Sequence, residues 1–586
     1  MEMIADMVLA CYVAAHIEAV VEAVTVAHSE PIDQYAWEFF RRTKHMRFAD
    51  VADYRSYVIK HGPFVNDSVA PDPAKNDRKA AEVRQVGNRL YLEKQYIAAL
   101  VKYNESICWA DGPDSEQLGI GYANRSAVFY DLGEYEYSLV NIDLAKKHNY
   151  PQRLMPKLLS REANCKDKIA GGHSRRAKPC HKLDINVETD AKRPFCAAGI
   201  AQKVIPGYGR SMVAERSFNI GDVILSEKAM LSAIPPELKF KNCNYCSAEN
   251  FNSLIPCPKC VSVMYCDQEC LEKGFQYIHR FECGICEKLN HVTQGTSRLN
   301  MGPRAFFYGF NLFGDNLNAM MSFCKRNGRT GGDPFTIDYS NRDPLEEFKI
   351  FHKIQFPADD SEYEELNQFY AAVLYSIYIK HPLVRSMFRT KTQKDFFLRS
   401  ILDYTRIMGF LLLGVNELNT SHLYSLASVC NHSCDPNTAF VEHFGVLKLI
   451  VIRPISIDDQ IVVSYGPLVW KHSAAERQSS FDDTLKFDCL CDACDVGKMQ
   501  RMKAAASKLP AVPLHHIFSL MKIFEDSAVS DTKKMTMLQQ FIKRYAYAYP
   551  RKDYSLLLDT YRDFLLRTFV KEVLDRLRAT AAEQVA

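Results

Sequence analysis

Helical and strand-like patterns of apolar residues alternate along this chain of 586 residues. Residues 78–170 repeat a helical spacing, first in VGNRLYLEKQYIAALVKYNESI and then in YANRSAVFYDLGEYEYSLVNIDLA. Aligning the two segments places small and aromatic residues at matching positions, which predicts two helical hairpins followed by an incomplete third unit. Residues 1–77 are predicted to form a helical segment and a linker rich in Pro, Asp and Asn.

Short β-branched runs with turns begin near residue 194 and extend to residue 242. Strand patterns return in residues 421–470, which include FGVLKLIVIRPI and DDQIVVSYG. Between them, residues 284–420 have mainly helical spacing, and residues 499–586 form a second helical region. The pattern therefore predicts a multidomain α+β protein in which a β-rich domain is split by an insertion.

The composition is that of an ordinary globular protein, with 47% hydrophobic and 24% charged residues. A net charge of +3 is too small to favour general binding to nucleic acids or to membranes. Residues 1–28 are rich in apolar residues, but they lack a basic start and are interrupted by Asp6, His16, Glu18 and Glu22. An amphipathic helix is therefore predicted there rather than a signal peptide or membrane span, and a soluble protein of the cytoplasm and nucleus is expected.

Residues 243–283 carry Cys and His residues in four consecutive close pairs. Such spacing lets two side chains reach one tetrahedral zinc ion from a single turn of backbone. Scattered, chemically inert cysteines would not produce this pattern, and eight ligands fill two closed sites with no open position for catalysis. The pairs are Cys243/Cys246, Cys257/Cys260, Cys266/Cys270 and His279/Cys283.

The spacing of these pairs resembles that of the MYND zinc finger, whose two sites interleave along the chain. The resemblance also implies a surface that binds proline-rich corepressor peptides. The ligand sets that it implies are Cys243, Cys246, Cys266 and Cys270 for one zinc ion, and Cys257, Cys260, His279 and Cys283 for the other.

A third zinc site is predicted within residues 471–498, where FDCLCDAC supplies three thiolates but no fourth local ligand. Cys434, in the distant motif NHSCDPNT, can complete a tetrahedron with them, as in SET domains that are followed by a post-SET segment. The three local thiolates are those of Cys489, Cys491 and Cys494.

Three separated pieces resemble a SET methyltransferase domain: PGYGRSMVAE, NHSCDPNT and VVSYG, the last of which ends in Tyr465 and a glycine. With the repeats and the finger, their order resembles that of the SET and MYND domain-containing lysine methyltransferases, in the branch with N-terminal tetratricopeptide (TPR) repeats. The implied segments are an N-terminal helical segment and linker (1–77), TPR-like repeats (78–170), the SET N-terminal part (194–242), the MYND zinc finger (243–283), a helical SET insert (284–420), the SET core (421–470), the post-SET segment (471–498) and C-terminal helices (499–586).

The resemblance implies transfer of a methyl group from S-adenosylmethionine to a lysine of a protein substrate. Asn431 and His432 would bind the amino-acid and adenine portions of the cofactor, and Phe487 would stack on the adenine. Tyr465 would contact the cofactor and lie at the mouth of the lysine channel as the catalytic residue. Backbone groups near the glycines would also contact the cofactor, at Tyr208, Gly209 and Arg210.

Two departures from the family pattern leave a second interpretation open. Ser211 stands where the family usually has the last glycine of Gly-x-Gly-Arg-Gly. The segment GVNELNTSHLYSLASVC is shorter than usual in a region that normally supplies a cofactor-contacting asparagine, so Asn416 or Asn419 would have to substitute. The alternative is a catalytically weak or inactive, zinc-stabilised adaptor or transcriptional corepressor.

The repeats also carry a candidate peptide clamp. Arg84 and Asn88 are four residues apart, as are Lys157 and Arg161, and Asn124 opens the second repeat. Residues at this spacing share a helix face and can grip a carboxylate together. The set resembles the two-carboxylate clamp of chaperone-binding TPRs, which predicts C-terminal chaperone peptides as partners. Solvated surface charge is the alternative.

Overall fold

A computed structural model describes residues 72–565, except 174–183, 250–252, 294–296, 329–330, 355–361, 412–419, 444, 485–486, 552–553 and 556. The expectations for the N-terminal helical segment, for the end of the C-terminal helices, and for Asn416 and Asn419 lie outside the described residues. Within the described residues, no helix is both long and apolar enough to cross a membrane.

The repeat pattern folds as predicted into a helical arm. Its helices are α1 (Asp77–Leu92), α2 (Tyr96–Trp109), α3 (Glu116–Asp131), α4 (Tyr135–Lys147) and α5 (Met155–Ala170). Helix α1 packs on α2, α3 packs on α4, and α5 packs against this second pair. Glycines let the helices approach closely, because a Cβ added at Gly87 would lie 2.7 Å from the ring of Tyr103, and one added at Gly121 would lie 2.7 Å from Ile107.

The remaining helices lie in the zinc-ligand module, in the insert and at the end of the described chain. They are α6 (Gln268–Tyr277), α7 (Cys286–Val292), α8 (Met301–Leu312), α9 (Leu317–Asn327), α10 (Pro344–His352), α11 (Glu362–Tyr378), α12 (Pro382–Met387), α13 (Lys391–Leu411), α14 (Ala474–Thr484), α15 (Val496–Ser507), α16 (Leu514–Glu525) and α17 (Asp531–Arg544). Short 3₁₀ turns occur at Gln152–Leu154, Pro236–Leu238, His279–Phe281, Ser297–Asn300, Pro334–Thr336, Tyr339–Asn341, Ala427–Val429 and Ala546–Ala548.

Two stretches of chain pair across the insertion to build the β-rich domain. The strands are β1 (Ile200–Ile205), β2 (Gly209–Ala214), β3 (Val223–Lys228), β4 (Leu231–Ala233), β5 (Ile255–Pro256), β6 (Met264–Tyr265), β7 (Ser421–Leu423), β8 (Asn431–His432), β9 (Thr438–His443), β10 (Val446–Val451) and β11 (Val462–Val463). Antiparallel pairing joins β3 to β10, β10 to β9, and β4 to β7. Strands β1 and β2 form a hairpin, and β8 runs parallel to β11. The β8–β11 pair therefore brings two distant motifs side by side.

The insert forms a helical layer with an aromatic core, as its apolar spacing predicts. Phe388 stacks on Phe397 with ring centroids 4.4 Å apart. A buried ion pair joins the layer to the zinc-ligand module, because the Arg304 guanidinium lies 2.8 Å from the Glu282 carboxylate. Arg304 also donates to the carbonyl oxygen of Ser232 in β4, so one side chain ties three regions together.

The C-terminal helices cover the β3–β10–β9 sheet. Their buried side chains, among them Leu538 and Tyr554, form one core with Val223, Ala439 and Ile450 of the sheet. Because β9 begins at Thr438, the last residue of the NHSCDPNT motif, the C-terminal helices pack against the sheet that this motif enters.

The helical arm docks on the zinc-ligand module through Arg125, whose side chain is fully buried. Its Nη1 donates to the Leu254 carbonyl oxygen at 2.9 Å and to Asn104 Oδ1 at 2.7 Å, and its Nε donates to Asn141 Oδ1. Burial lowers the pKa of Arg125 to about 10. Asn104 donates in turn to the carbonyl oxygen of Phe240, so a polar network inside an apolar interface fixes the arm to the module.

Candidate active site and metal centres

Two groups of four ligands lie in the zinc-ligand module, with the pairing that the resemblance implies. Within each group the ligand atoms are all within 4.8 Å of one another. The Sγ atom of Cys246 lies 3.7 Å from that of Cys266 and 4.0 Å from that of Cys270. Four sulfurs at about 2.3 Å from a central zinc ion would lie about 3.8 Å apart, so the spacing fits zinc. The first cluster is Cys243, Cys246, Cys266 and Cys270, and the second cluster is Cys257, Cys260, His279 and Cys283.

A third cluster brings Cys434 together with Cys489, Cys491 and Cys494, as predicted. The Cys434 Sγ atom lies 3.9 Å from that of Cys489 and 3.6 Å from that of Cys494. These distances are far longer than the roughly 2.05 Å of a disulfide and again match the edge of a zinc tetrahedron. The third cluster thus joins the NHSCDPNT motif to the segment that follows α14.

Two aspartates position the ligand-bearing turns of the module. Asp267 caps α6 and accepts a hydrogen bond from the backbone N–H of Cys270 at 2.8 Å. Asp72, which precedes the arm, accepts from the backbone N–H groups of Gly284, Cys286 and Glu287. Sequence analysis missed Asp72, because it lies far along the chain from the turn that it caps and belongs to no local motif.

His432 joins the third cluster to Tyr465. The backbone N–H of Tyr465 donates to His432 Nδ1 at 2.9 Å, and His432 Nε2 lies 3.3 Å from Cys434 Sγ. Burial lowers the pKa of His432 to about 4, which favours the neutral ring; because Nδ1 accepts from Tyr465, the ring proton lies on Nε2, directed at the Cys434 sulfur. Both ring nitrogens are therefore used inside the protein, and His432 supports the site through its ring face and its backbone.

Tyr465 presents its hydroxyl to a backbone carbonyl. Its OH donates to the carbonyl oxygen of Cys430 at 2.6 Å. Burial raises the pKa of Tyr465 above its ordinary value, so the phenol keeps its proton at neutral pH. The pairing of β8 with β11 creates this contact, since it sets Tyr465, just beyond β11, beside the residues that lead into β8.

The turn before β2 has the backbone that its glycines predict. Gly207 and Gly209 have φ angles of +82° and +72°, values that side chains with a Cβ rarely adopt. A Cβ added at Gly209 would meet nothing within 4 Å, so open space lies beside this backbone. Tyr208 reaches across to the segment that follows α14, where its OH donates to the carbonyl oxygen of Leu490 at 2.6 Å. The turn is therefore in direct contact with the segment that carries three ligands of the third cluster.

Phe487 belongs to an aromatic group at the same place. Its ring lies 4.8 Å from that of Phe481 and 6.1 Å from that of His432, measured between centroids. His432 lies in turn 5.3 Å from the ring of Tyr465. The structure thus brings together His432, Tyr465 and Phe487, three of the residues predicted for the cofactor site.

Asn431 lies on β8 beside β2, where its side chain meets Ser211. Its Nδ2 donates to Ser211 Oγ at 2.8 Å and to Gln460 Oε1 at 3.2 Å. A nucleoside with an amino-acid tail fits the groups found here. They are the open backbone at Gly209, the half-buried aromatic ring of Phe487 and the polar amide of Asn431.

The comparison with known proteins agrees with this arrangement. Residues 209–466 match the SET domain family model. Over 547 residues the chain is 23% identical to protein-lysine N-methyltransferase SMYD4 of Pongo abelii, which covers 72% of this chain and 67% of that protein. The chain therefore contains a SET domain, and over most of its length it is similar to SMYD4, a member of the SET and MYND domain-containing family.

Other members of that family match over shorter regions. The SMYD4 protein of Danio rerio is 27% identical over 227 residues, covering 36% of this chain and 30% of that protein. N-lysine methyltransferase SMYD2 of Rattus norvegicus is 22% identical, covering 54% of this chain and 64% of that protein. A solved structure, the crystal structure of the SET domain of LSMT bound to lysine and AdoHcy, aligns with 65% of this chain and 88% of that chain at 10% identity. Its TM-score of 0.21 is too low to bear on the fold.

A buried carboxylate positions the turn before NHSCDPNT in this SET domain. Glu227 of β3 accepts hydrogen bonds from the backbone N–H groups of Ser425, Leu426 and Ala427. Burial raises the pKa of Glu227 to about 7, against the effect of these donors. Sequence analysis missed this residue, since an acidic residue in an apolar strand was the only available signal.

A small pocket lies between the helical insert and the SET strands. The side chain of Arg210 lines it and lies 3.5 Å from the carbonyl oxygen of Gly332. Glu347 also lines it, is ion-paired with Arg342 at 2.7 Å, and accepts a hydrogen bond from the Ser425 hydroxyl. The insert thus contributes charged groups next to the candidate cofactor site.

The clamp residues lie on α1, α3 and α5, which pack side by side. Asn88 Oδ1 accepts from Asn124 Nδ2 at 2.8 Å, and Arg84 Nη2 donates to Gln117 Oε1 at 3.1 Å. Arg161 donates to the carbonyl oxygen of Ala123 and to the Ser126 hydroxyl, while Lys157 is exposed. Asn88 and Asn124 are therefore in direct contact, and Arg161 also holds α5 against α3.

Proposed function

We propose that this chain is a protein-lysine N-methyltransferase that uses S-adenosylmethionine and holds three zinc ions, one in each cluster. The SET domain match and the methyltransferase names of its relatives support this activity. The sulfur spacings of the clusters support zinc as the metal. From the same resemblance, we expect the protein in the cytoplasm and the nucleus.

The observation that carries the proposal is the pair formed by the Tyr465 hydroxyl and the Cys430 carbonyl oxygen, 2.6 Å apart. A neutral lysine amine has two N–H groups and one lone pair. It would donate one hydrogen to each of these oxygens and keep the lone pair free to attack. The pair therefore orients a primary amine without any acidic or basic side chain in contact with it.

When bound, the cofactor would supply a sulfonium-bound methyl group: the amine nitrogen would bond to the methyl carbon in line as the carbon–sulfur bond breaks, S-adenosylhomocysteine would leave as the thioether, and the methylated ammonium would lose its proton to solvent. The residues of this chain have only to select the neutral amine, align it and exclude water. Apolar surroundings disfavour a lysine ammonium, and the protonated Tyr465 phenol carries no charge that would retain it. The lysine proton is therefore lost to solvent before the amine enters.

The third zinc ion would have a structural role. All four positions of its site are filled by thiolates, which leaves no open position for substrate. The site holds Phe487 two residues before Cys489, and the Leu490 carbonyl that Tyr208 binds follows Cys489 directly. Zinc would thus fix one wall of the cofactor site.

The proposal is tested by calorimetric titration with S-adenosylhomocysteine, followed by tritium transfer from labelled S-adenosylmethionine to a protein lysate. Tyr465→Phe should bind the cofactor with unchanged affinity, but its turnover rate should fall by about 100-fold, the usual effect of losing one oriented transition-state hydrogen bond. Tyr554→Phe is the matched control, because its buried phenol also donates to a backbone carbonyl, in the C-terminal helices. If the wild-type chain binds no cofactor, the adaptor or corepressor interpretation replaces the enzyme.

We propose that the helical arm recruits partners with acidic C-terminal tails, such as chaperones. The observation that favours this role is the row of half-buried and exposed polar residues on adjacent helices, from Arg84 and Asn88 through Asn124 to Lys157. Binding of proline-rich peptides by the module remains a prediction. The arm already covers part of the β5–β6 hairpin, since Leu254, the residue before β5, is buried against it.

The arm is tested with a peptide that ends in Glu-Glu-Val-Asp, at low and high salt. Lys157→Ala should weaken binding, and added salt should do the same, because exposed charge pairs are screened. Lys147→Ala, an exposed lysine on α4, is the matched control. Equal affinity for the amidated peptide would contradict the clamp, since amidation removes the charge that the clamp reads.

A further inference from the structure

Ser211 takes part in a chain of hydrogen bonds that controls the Asn431 side chain. Asn431 Nδ2 uses its two N–H groups on Ser211 Oγ and Gln460 Oε1, at 2.8 and 3.2 Å. The Ser211 hydroxyl donates its own hydrogen to the carbonyl oxygen of Gly209 at 3.2 Å. The hydroxyl is therefore an acceptor for Asn431, and the Asn431 carbonyl oxygen is turned away from both neighbours.

This network favours one orientation of the Asn431 amide. Reversing the amide would require the Gln460 side-chain amide to reverse with it, and the Ser211 hydroxyl to give up its bond to the Gly209 carbonyl oxygen in order to donate to Asn431. Ser211 has no exposed surface, so water cannot take the place of its hydroxyl. A glycine at this position would remove one of the two groups that hold the amide.

The direction of Asn431 along β8 indicates which end of the cofactor it meets. Successive strand residues point to opposite faces. The His432 ring faces Phe481 and Phe487, the aromatic group suited to an adenine, whereas Asn431 faces β2 and Gln460. Asn431 is thus directed away from the aromatic group, toward the part of the site that the amino-acid tail would occupy.

We infer that Ser211 and Gln460 are positioning residues that turn the Asn431 carbonyl oxygen toward the α-ammonium group of S-adenosylmethionine, an inference that rests on the proposed function. An amide oxygen accepts a hydrogen bond from an ammonium group, whereas an amide N–H group would repel it. The serine that departs from the family pattern is on this account a support for cofactor binding.

The test compares two nucleosides by calorimetric titration of the full chain loaded with zinc. S-Adenosylhomocysteine carries the ammonium group, and 5′-methylthioadenosine lacks the whole amino-acid tail. Ser211→Ala should weaken the binding affinity for S-adenosylhomocysteine by about tenfold, the effect of one misdirected hydrogen bond to a charged group. It should leave the affinity for 5′-methylthioadenosine unchanged. Gln460→Met should also weaken the affinity for S-adenosylhomocysteine, whereas Ser211→Thr, which keeps the hydroxyl, should bind it as the wild type does.

Ser138→Ala is the matched control, because Ser138 is equally buried but lies in the arm, where it donates to the Ser126 carbonyl. Thermal unfolding and zinc content should match the wild type in every variant that is compared. Equal affinity of Ser211→Ala and wild type for S-adenosylhomocysteine would overturn the inference, as would equal weakening of both nucleosides. A wild-type chain that binds 5′-methylthioadenosine and S-adenosylhomocysteine equally would overturn it while leaving the cofactor site intact. One that binds neither would overturn the proposed function itself.

Discussion

The two clusters of the zinc-ligand module differ from the third cluster in how their ligands are connected. The eight module ligands all lie within residues 243–283, whereas Cys434 is separated from Cys489 by α14 and the strands β9 to β11. The third cluster touches His432, which holds the Tyr465 backbone, whereas the module packs against the helical arm. Zinc in the module would support docking of the arm, and zinc in the third cluster would support the candidate active site.

This difference in connection predicts two separate roles for zinc, one in folding the module and one in holding the candidate active site. A module with local ligands can fold around zinc by itself, since binding of structural zinc supplies the folding free energy of such small units. The third cluster can form only after the SET strands have brought Cys434 into place. Loss of zinc should therefore have different consequences at the two locations, and ligand substitutions can separate them.

The largest effect is expected from Cys257→Ser, which removes a ligand of the second cluster. The module should unfold, because structural zinc sites contribute on the order of 10 kcal/mol to such units. The arm should keep its own helices but lose its docking surface, and limited proteolysis should release it. Zinc analysis should fall from about three ions per chain to about one or two, while S-adenosylhomocysteine binding persists. Loss of cofactor binding here would contradict the separation of roles.

A smaller and opposite effect is expected from Cys491→Ser in the third cluster. Cofactor affinity should fall by about 10- to 100-fold, because the segment that bears Phe487 and Leu490 loses its anchor. Resistance of the arm to proteolysis should be unchanged. Cys165→Ser, a buried arm cysteine outside the clusters, is the control for both substitutions. Release of the arm by Cys491→Ser would show that the two regions fold as one.

The smallest effect is expected from Glu227→Gln, which replaces one acceptor of the turn before NHSCDPNT by a donor. The Ala427 N–H would lose its partner, which costs about 1–3 kcal/mol of folding free energy. Because burial raises the folded pKa to about 7, above the ordinary 4.5, the native state binds more protons than the unfolded state between these values. Stability from this carboxyl then falls as pH rises through that window.

Urea unfolding near pH 6 and near pH 8 measures this dependence. The deficit of Glu227→Gln relative to the wild type should be larger at the lower pH. Glu476→Gln, a solvent-exposed carboxyl at the start of α14, is the control. A deficit that is the same at both pH values would mean that Glu227 is ionised throughout this range, held so by its three backbone donors.

The features that sequence analysis predicted are those in which ligand spacing is local or a motif is complete. The two module clusters and the helical hairpins follow from short-range spacing, and Cys434 was found because three thiolates lacked a fourth partner. Asp72 and Glu227 were missed because each caps a turn that lies distant in the chain, and no local pattern specifies such a contact. The role of His432 also depends on tertiary structure, since one of its two partners is the backbone N–H of Tyr465, just beyond β11, although the other, Cys434, lies in its own motif.

Ser211 shows the limit of comparison with a family pattern. Its hydroxyl was a departure from the expected glycine, and the sequence alone supports loss of function as readily as a new contact. Only the pairing of β2 with the residues around Gln460, seen in the Val213–Gln460 bridge, shows that the hydroxyl meets the Asn431 amide.

The buried guanidinium of Arg125 has a consequence for the choice of substrate. Because it fastens the arm to the module, and Arg304 fastens the module to the insert, the arm has a set distance and direction from Tyr465. A partner captured by its tail would therefore present only those lysines whose separation from the tail matches that span. For such lysines, capture raises the effective concentration, which favours methylation even of sites with little sequence preference of their own. Selection of the lysine would then depend on its distance from the captured tail more than on the residues that flank it.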